Sequence, residues 1–257
     1  MSGLRTDAAG KGAEEAYRRE VLQFDEWRRQ LERDGEGPAI PAATVVVLHD
    51  GPAGLESLML RRNSRLAFGG MWVFPGGRID DADHDGAGDL VAAARNAAAR
   101  EAREEAAIVL DPADLVHFSC WIPPPLAPKR FATWFFAARA PSEDVSIDEG
   151  EIVHHEWMTP QGAMRRRDAG EIELVAPTWV TLRTVGQFDT VAGALEGLAR
   201  RRARRYETRI GRGGHGPVSL WHGDAGYETA DPSVPGPRHR LEITPNGYLF
   251  DESGYSD

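Results

Sequence analysis

Cysteine is almost missing from this chain: among 257 residues only Cys120 is present. A lone thiol closes no intramolecular disulfide and makes no zinc site, so a reducing, cytoplasmic setting is expected, with Cys120 as a small buried hydrophobe. Long apolar runs are missing too. Nothing approaches the ~20 residues of a membrane helix, and the opening MSGLRTDAAGKGAEEAYRRE has no apolar signal-peptide core, so no membrane partner is expected. Positive charge is in deficit, with 30 Lys and Arg against 40 Asp and Glu and a net charge of -10. That balance argues against nucleic acid as a partner of the whole molecule. A small anionic substrate stays open if cations cluster locally. No internal repeat is present.

What is present suits one substantial α/β domain with extensions, since 41% of the residues are hydrophobic. From Glu14 to Arg33, the residues Tyr17, Val21, Phe24, Trp27 and Leu31 follow the rhythm of an amphipathic helix, which Gly35, Gly37 and Pro38 end. Its apolar stripe is expected to dock on the core; a homodimer contact or a flap over a site are the alternatives. ATVVVLHD and LESLMLRR, split by GPAG, read as a hairpin, and MWVFPGGRID as a strand ending in a Pro-Gly-Gly turn. A helix over about Leu90 to Ala107 follows, N-capped by Asp89. LVHFSCWI, RFATWFFAAR and EIVHHEWM read as strands, TWVTLRTVGQF and VAGALEGLARRRARRYE as helices, and RLEITPNGYLFDE as a hairpin turning at Asn246-Gly247. The chain divides into a helical extension (1–38), a core (39–200) and a C-terminal extension with a hairpin (201–257).

Within RNAAAREAREEAAIVL, Glu101, Glu104 and Glu105 share one helix face, within an arc of about 100°. Taken alone, the segment reads as a solvated face in which Arg100 pairs with Glu104. Its position after VFPGG changes that, because two glycines let backbone approach a ligand beside the helix. Hard carboxylate oxygens suit Mg²⁺ or Mn²⁺ and not zinc.

GG followed by REAREEAAI resembles the Nudix signature: Gly, five residues, Glu, seven residues, then Arg-Glu-apolar-x-Glu-Glu-x-Gly-apolar. Gly77 takes the opening glycine, Asp83 stands where the first Glu would be, and Arg100, Glu101, Glu104, Glu105 and Ile108 fill the second half. Ala107 replaces the final glycine, and Gly77 to Arg100 is nine residues longer than in the signature. The long loop, with LMLRRNSRLAFGGMWVFPGGRIDDAD, WIPPPLAPKRFATWFFAA and ELVAPTWVTL, resembles the branch typified by the peroxisomal coenzyme A diphosphatase and its bacterial relatives. In that branch's upstream motif Arg61 and Gly70 fit, and Leu66 stands in place of a second arginine.

The resemblance implies an α/β/α sandwich with a mixed β-sheet, and a hydrolase of a nucleoside diphosphate linked to another group X. It implies that Glu101, Glu104 and Glu105 hold Mg²⁺ or Mn²⁺ and that Arg100 steadies them. Coenzyme A or acyl-coenzyme A is the leading substrate. Another dinucleotide or nucleotide sugar (NADH, ADP-ribose) comes next, and a catalytically silent binding module is the reading from another class. Glu149 and Glu151 are candidates for general base. Arg61, Arg62 and Arg65, the Gly76-Gly77 pair, and Lys129 with Arg130 are candidates for substrate binding; each cation alone reads as a surface charge, and together they could hold phosphates. Trp72, Trp121, Trp134 and Phe131 are expected in the core, and His154 and His155 as structural histidines. The tail, with WHGDAGYE, His239 and Arg240, could lie over the site.

Overall fold

The unbroken apolar run in AATVVVLHD is the pattern of a strand buried on both faces, and it forms the middle of β1 (Ala39–Gly51). Ala43, Val45 and Val47 point to one side of the sheet, and Val46 and Leu48 to the other. In the computed structural model, which describes residues 3–64, 70–147 and 150–256, β1 turns through Pro52 and Ala53 into β2 (Gly54–Arg62), with Gly51 paired to Gly54. The expected first hairpin is therefore present.

The main sheet runs β3 (Trp72–Val73), β2, β1, β6 (Arg130–Arg139), β5 (Val116–Ile122) and β8 (Arg204–Glu207). β4 (Gly76–Arg78) pairs with β1, and β7 (Ile152–Met158) with β2. β1–β6 and β5–β8 are parallel and the other pairs antiparallel, so the sheet is mixed, as expected.

Helix α2 (Leu90–Ala106) covers one face. Its buried side is alanine, at 94, 97, 98, 102 and 106, packed on Val45, Val47, Leu58, Leu60 and Phe136. Small side chains let the helix backbone sit close to the sheet, which fixes what its polar side can reach. On the other face lie α3 (Pro160–Asp168), α4 (Ala176–Val185) and α5 (Val191–Ala199), with Trp179, Leu182, Val191 and Leu198 in the second core. The result is the α/β/α sandwich expected.

A second sheet, β9 (Arg209–Arg212), β10 (Pro217–Leu220), β11 (Arg240–Thr244) and β12 (Gly247–Asp251), joins that second core through Trp221, Leu241 and Tyr248. The terminal hairpin is there, but Pro245 and Asn246 make its turn, and Gly247 (φ 113°) opens the second strand. Helix α1 (Gly3–Asp34) docks Tyr17 and Phe24 on this core, and the Tyr17 hydroxyl donates to the His215 carbonyl. The stripe is thus used for docking.

Two readings change. The helix expected to run through Glu207 stops at Ala199, and Arg204–Glu207 becomes β8, the last strand of the main sheet, drawn from beyond residue 200. Tyr206 explains it: 3% exposed and stacked on Trp121 at 4.0 Å between ring centres, it drives this arginine-rich segment onto the sheet edge. The Pro-Gly-Gly turn is instead the entry to β4. Among the described residues no helix is long and apolar enough to cross a membrane.

Candidate active site

Gly76 and Gly77 have no positive φ. They are glycine for lack of room: a Cβ on Gly76 would lie 2.5 Å from the Ala43 carbonyl oxygen, and one on Gly77 would fall within the Glu101 carboxylate. β4 is pressed between β1 and α2, and its backbone meets the helix carboxylates directly. The Gly76 N–H donates to Glu105 Oε2 at 2.9 Å, and Glu105 is only 3% exposed.

Arg100 organises the rest. Its guanidinium donates to both oxygens of Asp83 (3.1 and 2.9 Å), to Glu101 Oε1 (2.8 Å), to Glu104 Oε2 (3.0 Å) and to the Arg78 carbonyl (3.0 Å). These bonds, those to Asp83 foremost, push the guanidinium well above the usual arginine range, so it stays charged. Asp83 is 5% exposed. Burial pushes its carboxyl up, but the Arg100 hydrogen bonds, the Asp80 N–H and the Arg100 charge together hold it below its ordinary value. Asp83, read as standing in for the first glutamate, is therefore a clamp on Arg100. The Asn96 side chain fixes that loop by donating to the Asp83 carbonyl. For Glu101, burial is the largest influence and pushes the carboxyl up, with Glu104 and Asp80 adding to it; Arg100 opposes them without cancelling them.

β2 delivers Arg62 between two carboxylates, 3.6 Å from Glu105 Oε1 and hydrogen-bonded to Glu151. Glu151, a candidate base from another part of the sequence, is thereby brought beside α2. Arg61 is exposed on β2 next to it. Arg65 and Glu149 lie outside the described residues. Lys129 is exposed just before β6. Arg130 departs from its expected role: it is 9% exposed, paired with Glu36 and donating to the Gly37 and Pro123 carbonyls, so it ties the lead into β1 to the end of β5. Its partner lies 94 residues away in sequence, which no local pattern reveals.

The tail is on the other side of the sheet. Trp221 and Tyr206 pack with Trp121 in the core opposite α2, and Asp224 and Arg240 form a buried ion pair at 2.7 Å. His239 is buried, its Nδ1–H donating to the His222 carbonyl at 2.8 Å. His154 is exposed, edge-on to Trp72.

A family model described as "NUDIX domain" matches residues 39–178, more than half of the chain. The chain belongs to the Nudix family. Among solved structures it is similar to a NUDIX hydrolase from Alicyclobacillus acidocaldarius, at 23% identity and a TM-score of 0.58, covering 64% of this chain and 99% of that one. It is also similar to the NUDIX domain of Shewanella oneidensis NrtR solved with ADP ribose (14% identity, TM-score 0.45, covering 60% and 94%). A C. elegans Ap4A hydrolase is a third (24% identity, TM-score 0.40, 59% and 98%). No curated protein matches. The fold is that of the Nudix hydrolases, built for pyrophosphate bonds.

Nudix hydrolases in general use divalent metal ions, and the donor chemistry here suits one: the helix offers hard carboxylate oxygens, and the side-chain-free Gly77 leaves room for the Glu101 carboxylate against β4. Glu101 and Glu104 both reach one nitrogen of Arg100, so two carboxylates already converge on a single positive charge. Glu105 is turned beneath the Gly76 amide and towards Arg62. Among the described residues no three His, Cys, Asp or Glu side chains yet enclose one point as a metal shell would.

Proposed function

We propose that the chain hydrolyses the diphosphate bond of a nucleoside diphosphate linked to X, with coenzyme A or an acyl derivative as substrate and 3',5'-ADP and (acyl)phosphopantetheine as products. The observation that carries the reaction is the Arg100-centred carboxylate cluster facing the glycine strand β4. The substrate rests on the resemblance of residues 44–182 to the coenzyme A diphosphatase branch.

Glu101, Glu104 and Glu105 would hold Mg²⁺ or Mn²⁺, which supplies charge neutralisation at the diphosphate and a lowered pKa for attacking water. The chain's own residues do the rest. Arg100, locked by Asp83 and the Arg78 carbonyl, keeps Glu101 and Glu104 on one side of the helix. Glu105 fixes β4 through the Gly76 amide, which sets how close a phosphate can approach. Glu151, positioned by Arg62, takes the proton of the attacking water as its oxygen bonds to one phosphorus and the bridging oxygen leaves with the other phosphate. Arg61, Arg65 and Lys129 remain to meet the phosphates; Arg130 is committed elsewhere.

The test is hydrolysis of coenzyme A, an acyl-coenzyme A, ADP-ribose and NADH with Mg²⁺ or Mn²⁺, with Glu104→Gln and Glu105→Gln as blanks. Preferential release of 3',5'-ADP, lost by at least a hundredfold in both variants, is the expected result. Turnover of ADP-ribose or NADH alone moves the substrate to another dinucleotide or a nucleotide sugar. Ligand binding without turnover, unchanged in the variants, makes the domain a binding module.

A further inference from the structure

A second cationic site lies on the face of the sheet opposite α2. Between β5, α4 and the segment leading into β8 is a partly open cavity of about 50 Å³. Arg183, Arg201, Arg202 and Arg204 line it. Against these four stands Glu252, 3.9 Å from Arg183 and 3.6 Å from Arg204. Arg201 meets only the Phe188 ring, at 5.9 Å, and Arg202 makes no ion pair within the described residues. In a chain of net charge -10, four guanidinium groups around one cavity oppose the overall balance, and their mutual repulsion costs stability unless an anion joins them.

The cavity wall points the same way. Ser119 and Thr181 line it, each 2% exposed, and neither hydroxyl has a hydrogen-bond partner among the described residues. The indole N–H of Trp121, on the same wall, likewise has no partner among the described residues. Leaving such groups buried without partners is destabilising, so three together on a cationic wall are the marks of a site with a ligand. Hydroxyl and indole donors with forked guanidinium groups match the oxygens of a tetrahedral anion.

We propose that this cavity is a second anion site that takes a phosphate group, either inorganic phosphate or the phosphate of a small phosphomonoester. It stands apart from whatever diphosphate is cleaved beside α2.

The experiment is calorimetric titration of the full chain, without divalent metal, with inorganic phosphate and separately with glycerol 3-phosphate, at ionic strength fixed with chloride. Arg201→Ala/Arg202→Ala, both exposed, should keep the fold and weaken binding at least tenfold. Thr181→Val should weaken it severalfold with little change in shape. Arg61→Ala, outside the cavity lining, should leave it unchanged. Tighter binding of the ester assigns the site to a phosphorylated small molecule, and equal binding to free phosphate; either supports the site. No saturable binding, binding matched by chloride, or binding lost in Arg61→Ala and kept in the Arg201/Arg202 variant overturns it.

Discussion

Ala107 ends α2 with φ 57° and ψ 25°, a left-handed conformation that costs an L-residue about 1–2 kcal/mol and glycine nothing. It is the position at which the Nudix signature has its last glycine. Ala107→Gly should therefore stabilise the chain by about 1 kcal/mol, raising Tm by roughly 2–4 °C with kcat unchanged; a lower Tm would show that the Ala107 methyl packs usefully. At Gly77 the balance reverses. A methyl there would displace the Glu101 carboxylate, so Gly77→Ala should lower turnover more than tenfold while the far-ultraviolet dichroism stays native. Steady-state kinetics on coenzyme A or ADP-ribose would read it, and unimpaired turnover would free the Glu101 position from the mechanism.

At the scale of elements, α2 and its clamp act as one unit. Asp89 caps the helix by accepting from the Ala92 N–H at 2.8 Å, and Asp83, in the loop before it, locks Arg100. Asp83→Ala should uncouple that loop and leave Arg100 held by the glutamates and the Arg78 carbonyl, lowering kcat by tenfold or more with a small change in KM; an unchanged kcat would make Asp83 a packing residue only. Much of this unit was legible beforehand. The cap, the helix span and the shared face of three glutamates follow from spacing along one helix, where period and capping act locally. The glycines misled, because glycine signals a turn as readily as a close approach, and only the Ala43 carbonyl across the β1–β4 pair tells the two apart. β8 was hidden in the same way: six charged or small residues around one Tyr206 look like a helix end until Trp121, from a distant strand, stacks on it. Arg62 and Glu151 meet because β2 and β7 pair, and that register is set by the sheet and not by either segment.

The whole molecule sets two chemistries back to back: α2, β4 and Arg62 on one face, and the arginine-lined cavity and the second sheet on the other. The tail cannot reach the hydrolytic cluster from there, and its own charges are held for stability. Asp224 is 6% exposed and accepts two 2.7 Å hydrogen bonds from Arg240, with the Gly226 and His239 N–H groups at 2.8 and 2.9 Å. Burial pushes its carboxyl up, but the Arg240 hydrogen bonds, the two amides and the Arg240 charge outweigh that and hold it below its ordinary value of 3.8. A carboxyl lowered in the folded state contributes stability that is complete above its unfolded pKa and is lost as pH falls towards its folded one. Breaking the pair also leaves Arg240 buried and uncompensated, at a cost of about 3–5 kcal/mol. Asp224→Asn should thus lower the urea midpoint by a constant amount from pH 7 down to about 5, and the gap to the wild type should narrow below about pH 4. Urea unfolding at pH 7, 5 and 3 measures it, and a gap that persists undiminished at pH 3 would mean that the loss comes from altered packing of the second sheet and not from the Asp224 charge.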